Sequence, residues 1–369
     1  MILQASILTS LRQGFYKPSM LARHRYVLSK ALTTQGKPTE GTLRPAFELA
    51  LRASCLQLVL ARWGLETAAA LGVQGEKVAN DDDRKARAVD AITKAAFAGG
   101  LDDYLTEQEK YVLEKAYKTW EYDDFELGSH WESLGILQWL LGRQHKVPPY
   151  YSSFDRASIF QATGVMPADP STIDTFVNSY LSPQSHHLLD DASLKREIDI
   201  AEAWNWRARA QVIMDLRDQI IEEAKEKSGS AKSSDIADEE TIVDRMMREK
   251  RIPQSLRGMV KNISQVMKSA TSRAIEKEII KEAIDDDFGI VVELKPEEMP
   301  EGASPSDREV LIPYSKLEGK NHESLRKISE ARLFAFAWST SKIEEWDIGK
   351  MVEILSINPV SSIWAPDEE

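Results

Sequence analysis

The sequence predicts a mainly α fold, namely a compact multi-helix domain with a minor two-stranded β element near the C-terminus. Three observations carry this prediction. Apolar residues recur every three or four positions over long stretches, most clearly in 194–220, and this is the spacing of one helix face. Glycines and capping patterns flank several of these stretches. Two short apolar runs of strand composition, 289–294 and 310–314, come late in the chain.

Residues 1–18 are predicted as an N-terminal extension. Four apolar residues recur there at four-residue spacing, which fits a short amphipathic helix. The first 39 residues contain six basic residues and no acidic residue before Glu40. The basic residues are Arg12, Lys17, Arg23, Arg25, Lys30 and Lys37. An acid-free N-terminus is typical of a mitochondrial import signal, so import is one prediction, and the start of a cytoplasmic chain is the other.

A helical core is predicted for residues 19–224. Its first long helix covers 44–71 and is rich in Ala and Leu, with Gly64 as a point of kink or break. Thr106, followed three residues later by Glu109, has the pattern of a capping box at the start of another helix.

The second half of this core contains the clearest helical pattern. A helix is predicted for 127–141, which ends at a glycine. The stretch 147–185 holds five prolines, so we expect turns and at most one short helix, near 171–181. The long apolar stripe of 194–220 follows and gives way to a Lys/Ser/Gly linker.

Residues 225–320 are predicted as an inserted segment, and residues 321–369 as C-terminal helices that complete the core. The inserted segment contains a basic helix at about 256–283 and both short strands. Basic side chains at four- and seven-residue spacing share one face of that helix. They are Arg257, Lys261 and Lys268, which we interpret either as a contact surface for a partner or as a solvated face with ion pairs.

The overall charge excludes some function classes. The formal net charge is −12, and a net acidic chain repels phosphate backbones, so nucleic-acid binding is not expected. Cys55 is the only cysteine and lies in an apolar run, which fits a reducing compartment and a buried side chain. No apolar stretch has the length and purity of a membrane-spanning helix. We therefore expect an intracellular, cytoplasmic protein, with the mitochondrial matrix as the alternative.

Catalytic and cofactor motifs are absent from the sequence. There is no phosphate-binding loop, no dinucleotide-binding glycine pattern and no nucleophile elbow. The six histidines do not show zinc-site spacing, and Asp287-Phe288-Gly289 stands without the other kinase motifs. The sequence therefore assigns no catalytic residue, no metal and no cofactor. Whether the chain is an enzyme stays open, with the balance against it.

Several motifs, in order, resemble a known family. They are Leu105-Thr106-Glu107-Gln108-Glu109, Trp131-Glu132-Ser133-Leu134, Gln138-Trp139-Leu140-Leu141-Gly142, Glu197-Ile198, Trp204-Asn205-Trp206-Arg207-Ala208-Arg209, Glu330-Ala331-Arg332, Ala335-Phe336-Ala337-Trp338 and Trp346-Asp347. This order is similar to that of the domain of unknown function 4272 family, over roughly residues 20–350. The resemblance implies a helical fold and brings no activity with it.

Five residues of these motifs are the candidates for a ligand site. Arg207 and Arg332 are guanidinium groups on apolar-faced helices, and Glu132 is a plausible carboxylate partner. Trp204 and Trp338 could line a cleft beside them. The alternative interpretation is structural, with the tryptophans as core anchors and the arginines in buried ion pairs.

Two functions follow from these interpretations. The first is a non-catalytic interaction or structural protein that binds a protein partner through the inserted segment. The second is a small-ligand-binding protein or enzyme with an Arg/Trp-lined cleft. The sequence identifies neither the partner nor the oligomeric state.

Overall fold

The computed structural model describes residues 42–72, 81–181, 189–228, 244–245, 247–249, 254–293 and 309–347. These residues are mainly α-helical with one small antiparallel sheet, which confirms the predicted fold class. The helices are α1 (Ala46–Ala70), α2 (Asp81–Ala98), α3 (Glu107–Glu114), α4 (His130–Leu140), α5 (Arg156–Ala162), α6 (Pro170–Asn178), α7 (Asp191–Ser228), α8 (Gln254–Glu276) and α9 (Gly319–Ser339). The strands are β1 (Ala283–Ile284), β2 (Asp287–Glu293) and β3 (Glu309–Pro313). The predicted extension 1–18 and the predicted helical residues 348–355 lie outside the described residues.

The chain divides into two compact units. Of the described residues, those up to Leu194 and those from Glu330 onward form the first unit, and those from Lys195 to Ser329 form the second. The sequence-based division instead ended the core at residue 224. The two divisions differ because α7 belongs with the strands and helix that follow it, through contacts given below.

Helix α1 forms the centre of the first unit. Every residue from Leu49 to Arg62 is buried, so the helix is covered on all sides, as expected for one that is apolar all round. It packs against α2, α4 and α6. The helix continues through Gly64 without a break. Neither α1 nor any other helix among the described residues is long and apolar enough to cross a membrane.

Side-chain caps set the starts of three helices in this unit. The capping box of Thr106 and Glu109 is present at α3, as predicted. The prediction of at most one short helix in 147–185 is wrong, because both α5 and α6 form there. Asp155 and Asp169 each accept a hydrogen bond from the backbone N–H two residues on. These local caps start two helices in a stretch whose prolines led us to expect turns.

In the second unit, α7 and α8 pack along their apolar faces. Ile220 packs with Val260 and Met247, and Ala210 packs with Ile263 and Met267. Helix α7 is longer at both ends than the predicted stripe, and Val212, which belonged to that stripe, is 59% exposed. A helix has 3.6 residues per turn, so residues spaced four apart gradually rotate away from the buried face. Ile213, not Val212, therefore packs against the core of this unit.

The β element has three strands, so the prediction of two was incomplete. The order is β1-β2-β3, and both pairings are antiparallel. Asp285 and Asp286 form the two-residue turn between β1 and β2, with φ of 54° and 59°. Aspartate tolerates this left-handed backbone better than most residues, and two-residue hairpins require it. The sequence pattern missed β1 because two residues carry no periodicity.

Candidate functional site

Arg332 and Glu132, two predicted ligand residues, form a buried ion pair in the first unit. Arg332 Nε and Nη2 each lie 2.8 Å from Glu132 Oε2. Arg332 Nη1 donates to the carbonyl oxygen of Pro148 at 2.7 Å, and Nη2 donates to that of Ser152 at 2.6 Å. Because these contacts use each nitrogen of the guanidinium, the group is fully engaged within the protein. Its observed role is to hold the 148–152 backbone against α4 and α9.

The second carboxylate oxygen of Glu132 extends this arrangement. Glu132 Oε1 accepts a hydrogen bond from the backbone N–H of Phe154 at 3.2 Å. The guanidinium of Arg332 also lies over the rings of Tyr150 and Phe154, at 4.7 and 5.0 Å from their centroids. The pair therefore joins two helices and a loop through charge, hydrogen bonds and ring contacts.

Arg207 forms the corresponding pair in the second unit. Its Nε and Nη2 donate to Asp287 Oδ1 and Oδ2 at 2.5 and 2.8 Å, and Nη2 also donates to Gln211 Oε1 at 2.9 Å. Burial alone would raise the pKa of Asp287, but the hydrogen bonds and charge of Arg207 outweigh it and hold that pKa below its usual value. Asp287 is therefore the structural partner of Arg207.

The predicted tryptophans lie in packed ring clusters. Trp204 contacts Phe288 edge-on at a centroid distance of 5.3 Å and lies 6.3 Å from Tyr314. Trp338 packs edge-on against Trp346 at 5.1 Å. Trp204 and Trp338 are both buried, which agrees with the interpretation of these side chains as core anchors.

The five predicted ligand residues divide between the two units. Glu132, Arg332 and Trp338 belong to the first unit, and Trp204 and Arg207 belong to the second. Each arginine is neutralised by a carboxylate of its own unit. A single cleft that joins the two groups stays a prediction.

The basic face of α8 carries ion pairs. Lys261 pairs with Asp244, and Lys268 Nζ lies 3.0 Å from Asp286 Oδ2. Arg257 is partly buried on the same helix. The predicted partner-binding cations therefore share helix α8, and both Lys261 and Lys268 already form ion pairs with carboxylates.

A buried cluster that sequence analysis missed lies beside α1. Arg52 donates to Glu109 and, through Nη1, to the carbonyl oxygen of Tyr104 at 3.0 Å. His130 is buried nearby; burial, opposed by the charge of Glu109 and aided by that of Arg52, lowers its pKa to about 4. The capping pattern pointed to Glu109 but not to its second partner, which is 57 residues away in sequence.

A group of exposed and partly exposed side chains on the first unit was also missed. We call it the tyrosine surface and define it as Tyr111, Trp120 and Tyr122 with the exposed carboxylates Glu114, Glu121 and Asp123. Tyr111 is 55% exposed and Tyr122 is 82% exposed. No periodic pattern marks it, because the residues come from the end of α3, the irregular chain after it and the start of a 3-10 helix, Tyr122–Ser129.

One ion pair holds the tyrosine surface together. Lys115 Nζ lies 4.4 Å from the ring centroid of Tyr111 and 2.6 Å from Asp124 Oδ2. The same oxygen accepts a hydrogen bond from the backbone N–H of Glu121 at 2.7 Å. The chain is thereby fixed directly before Tyr122.

Helix α1 anchors the backbone beneath the tyrosine surface. Arg62 Nη2 donates to the carbonyl oxygens of Lys115 and Ala116 at 2.9 and 3.0 Å. The carboxylate of Glu66 accepts from the backbone N–H of Lys118 at 2.9 and 3.1 Å. Trp120 Nε1 donates to a carbonyl oxygen of α3 at 3.2 Å. These buried contacts give the exposed rings a fixed base.

Metal binding finds no support in the described part of the chain, where no three His, Cys, Asp or Glu side chains are grouped to hold an ion. The predicted loop histidines 186–187 lie outside that part. Comparisons with protein-family models, with curated proteins and with solved structures give no match. The resemblance to the domain of unknown function 4272 family therefore stays a prediction.

Proposed function

We propose that the protein is a non-catalytic interaction protein that binds a protein partner through the tyrosine surface. The observation that carries this proposal is the exposure of Tyr111 and Tyr122 on an anchored base. Tyrosine is enriched at protein interfaces because it buries a large area and loses little conformational entropy. Single exposed apolar residues are ordinary, but here Tyr111 contacts Lys115, whose ion pair with Asp124 also fixes the backbone directly before Tyr122.

The buried charged residues support the non-catalytic part of the proposal. Glu132 and Asp287, the carboxylates beside the two predicted arginines, hold structural ion pairs. Catalytic acids and bases are usually exposed to a cleft and free to exchange a proton. Side chains committed to several protein hydrogen bonds serve the fold instead.

The proposal is tested by crosslinking in the protein's own host. A photoreactive phenylalanine analogue replaces Tyr122, and the matched control carries it at Val212, which is also exposed but lies in the second unit. We expect an adduct of one discrete mass at position 122, weakened by Tyr111→Ser, and not the same adduct at position 212. Identical adducts at both positions, or none at 122, would overturn the proposal.

The basic face of α8 offers a comparison within the same experiment. The variant Lys261→Glu/Lys268→Glu removes two cations of the originally predicted contact surface. We expect the adduct at position 122 to persist. Loss of this adduct would indicate that the partner binds at α8 instead.

A small-ligand-binding function is the second candidate. Arg207 Nη1 and the hydroxyl of Tyr314 are buried polar atoms that find no hydrogen-bond partner among the described residues, and a buried unsatisfied polar group is costly. A small polar ligand could satisfy them. Native mass spectrometry of protein purified from its host tests this function. A bound molecule that is absent from an Arg207→Met variant supports ligand binding. A wild-type chain with no bound molecule argues against it.

We also propose an intracellular compartment, the cytoplasm, with the mitochondrial matrix as the alternative. The support is Cys55, a single buried cysteine whose thiol pKa is raised by burial to about 12. Such a thiol is inert, and the chain cannot form an internal disulfide. The intact mass of protein from its host separates the two compartments, because import would remove part of the acid-free N-terminus.

A further inference from the structure

The tyrosine surface is acidic. Residues 107–126 contain seven acidic residues and three lysines. Each lysine is already paired with an acid: Lys110 with Glu107 at 3.0 Å, Lys115 with Asp124 at 2.6 Å, and Lys118 with Asp82 at 2.7 Å. Within the described residues, the exposed carboxylates of Glu114, Glu121 and Asp123 form no ion pair. The unmatched charge of this surface is therefore negative.

The pKa of a neighbouring tyrosine shows that further acidic residues lie close to this surface. The pKa of Tyr117 is raised to about 12, first by burial and then by the negative charges of Asp82, Glu66 and Asp81. Negative charge nearby disfavours the phenolate, and it favours a bound cation. Asp82, Glu66 and Asp81 are themselves ion-paired, with Lys118, Arg62 and Lys85, so the unmatched negative charge is that of the three exposed carboxylates.

The aromatic rings here already bind cations. Lys115 lies over Tyr111 at 4.4 Å, Lys118 lies 5.6 Å from the ring of Tyr117, and Arg62 lies 5.5 Å from the ring of Trp120. Cations favour ring faces because of the ring quadrupole. Tyr122, the most exposed of these rings, has no such contact in the described part of the chain. The surface therefore fits a segment that supplies lysine or arginine between apolar residues.

The chain itself contains such a segment. Residues 12–37, outside the described part, hold six basic residues and no acidic residue. Phe15, Tyr16 and Tyr26 are interleaved with them. Its charge and aromatic content complement the tyrosine surface.

The length of the connecting chain allows this contact. The described chain begins at Thr42, just before α1, and the tyrosine surface is anchored at Arg62. A helix rises about 1.5 Å per residue, so Ala46 and Arg62 are separated by about 24 Å along α1. The chain from Arg25 to Thr42 can span at most about 60 Å. Tethering at this length gives a high effective concentration, so weak contacts suffice.

We infer that residues 12–37 dock on the tyrosine surface of the same chain, the surface to which the protein partner is proposed to bind. This inference rests on the proposed function, since it takes the tyrosine surface to be a protein-binding surface. The basic side chains contact Glu114, Glu121 and Asp123, and a cation covers the free face of Tyr122.

The test uses the purified full-length chain, with its intact mass verified and no partner present. The photoreactive analogue is placed at Tyr122, and the matched control carries it at Val212. Equal amounts of isotopically labelled and unlabelled chain are mixed before irradiation. We expect crosslinked peptides that join position 122 to residues 12–37 of the same isotopic label. Mixed-label peptides, or crosslinks from position 122 only to other regions, would overturn the inference.

A charge variant sharpens the result. Glu114→Gln/Asp123→Asn removes two exposed carboxylates and leaves the rings in place. We expect the crosslink yield to fall about threefold to tenfold, and 1 M salt to have a similar effect. The control Asp218→Asn, an exposed acid on α7, is expected to retain the yield. An unchanged yield in the charge variant would contradict electrostatic docking.

The two proposals fail separately. Crosslinking in the host reports a second protein, whereas crosslinking in the purified chain reports its own N-terminus. A partner adduct without the internal crosslink would remove the inference alone. An internal crosslink without any partner adduct would remove the proposed function and leave a surface that is occupied only by its own chain.

Discussion

The carboxylate of Glu109 accepts a hydrogen bond from the buried guanidinium of Arg52. Its other oxygen, Oε2, accepts from the backbone N–H of Thr106 at 2.9 Å and so completes the capping box of α3. One side chain therefore starts a helix and neutralises a charge inside the first unit. Arg52 also lies 4.9 Å from the ring centroid of Trp346, so this contact joins segments that are far apart in sequence.

We predict that Glu109→Gln strongly destabilises the protein. The substitution keeps a hydrogen-bonding group at α3 but leaves Arg52 buried without its counter-charge. Breaking a buried ion pair by neutralising one partner costs about 3–5 kcal/mol. The free energy of unfolding, measured in denaturant, gives the value.

The matched control is Glu107→Gln, two residues earlier on the same helix. Glu107 pairs with Lys110, but its side chain is 92% exposed, and exposed pairs contribute about 0–1 kcal/mol. Similar losses in the two variants would show that Glu109 acts only through helix charge, not through Arg52.

We predict that acid destabilises the protein through His130. Burial lowers its pKa from 6.5 to about 4, so between these values the unfolded chain binds a proton that the folded chain does not. Stability therefore rises with pH in this window, by about 1 kcal/mol per pH unit near pH 5.5 and about 3 kcal/mol in all. Unfolding free energies measured from pH 4.5 to 7 report the slope.

Two variants isolate this effect. His130→Gln removes the titrating group and is expected to flatten the slope between pH 5 and 6.5. His145→Gln, in an exposed loop, is expected to leave the slope unchanged. Equal slopes in the wild type and His130→Gln would assign the acid sensitivity to other groups.

Local signals in the sequence predicted much of the fold. The capping box at Thr106 and the apolar run of α1 involve residues a few positions apart, and their physics is contained in a short window. The two missed helices, α5 and α6, also start from a local signal, an aspartate cap. The surrounding prolines led to a prediction of turns instead. Pro170, however, occupies the first turn of α6, where proline is tolerated.

The candidate sites depended on long-range contacts and could not be predicted in the same way. Glu132 was named as a partner of Arg332 from its residue type, and the two do meet, 200 residues apart. Asp287, the partner of Arg207, stood out in the sequence only as part of Asp287-Phe288-Gly289, because nothing local distinguishes its carboxylate from that of Asp286. The exposure of Tyr122 could not be predicted either, since the exposure of a residue in a short 3-10 helix depends on what packs against that helix.

The neighbours Asp286 and Asp287 provide the third prediction. Asp287→Asn leaves Arg207 buried without a counter-charge and is expected to cost about 3–5 kcal/mol. Asp286→Asn breaks only the exposed pair with Lys268 and is expected to cost about 0–1 kcal/mol. Asparagine also tolerates the positive φ of position 286. Unfolding of both variants in denaturant checks the difference, and comparable losses would contradict a structural role for the Arg207 pair.

Two helix glycines provide the fourth prediction, because they differ in what a methyl group would meet. A Cβ at Gly135 in α4 would lie 2.4 Å from Phe154 Cδ2, whereas one at Gly64 in α1 would meet nothing within 4 Å. Gly135→Ala is expected to lose about 1–3 kcal/mol through overpacking, and Gly64→Ala to gain about 0.5–1 kcal/mol by removing backbone freedom from the unfolded chain. Thermal and denaturant unfolding measure both. A loss at Gly64 would mean that a methyl group does not fit at that position of α1, and a gain at Gly135 would mean that α4 and the Phe154 ring are not in contact.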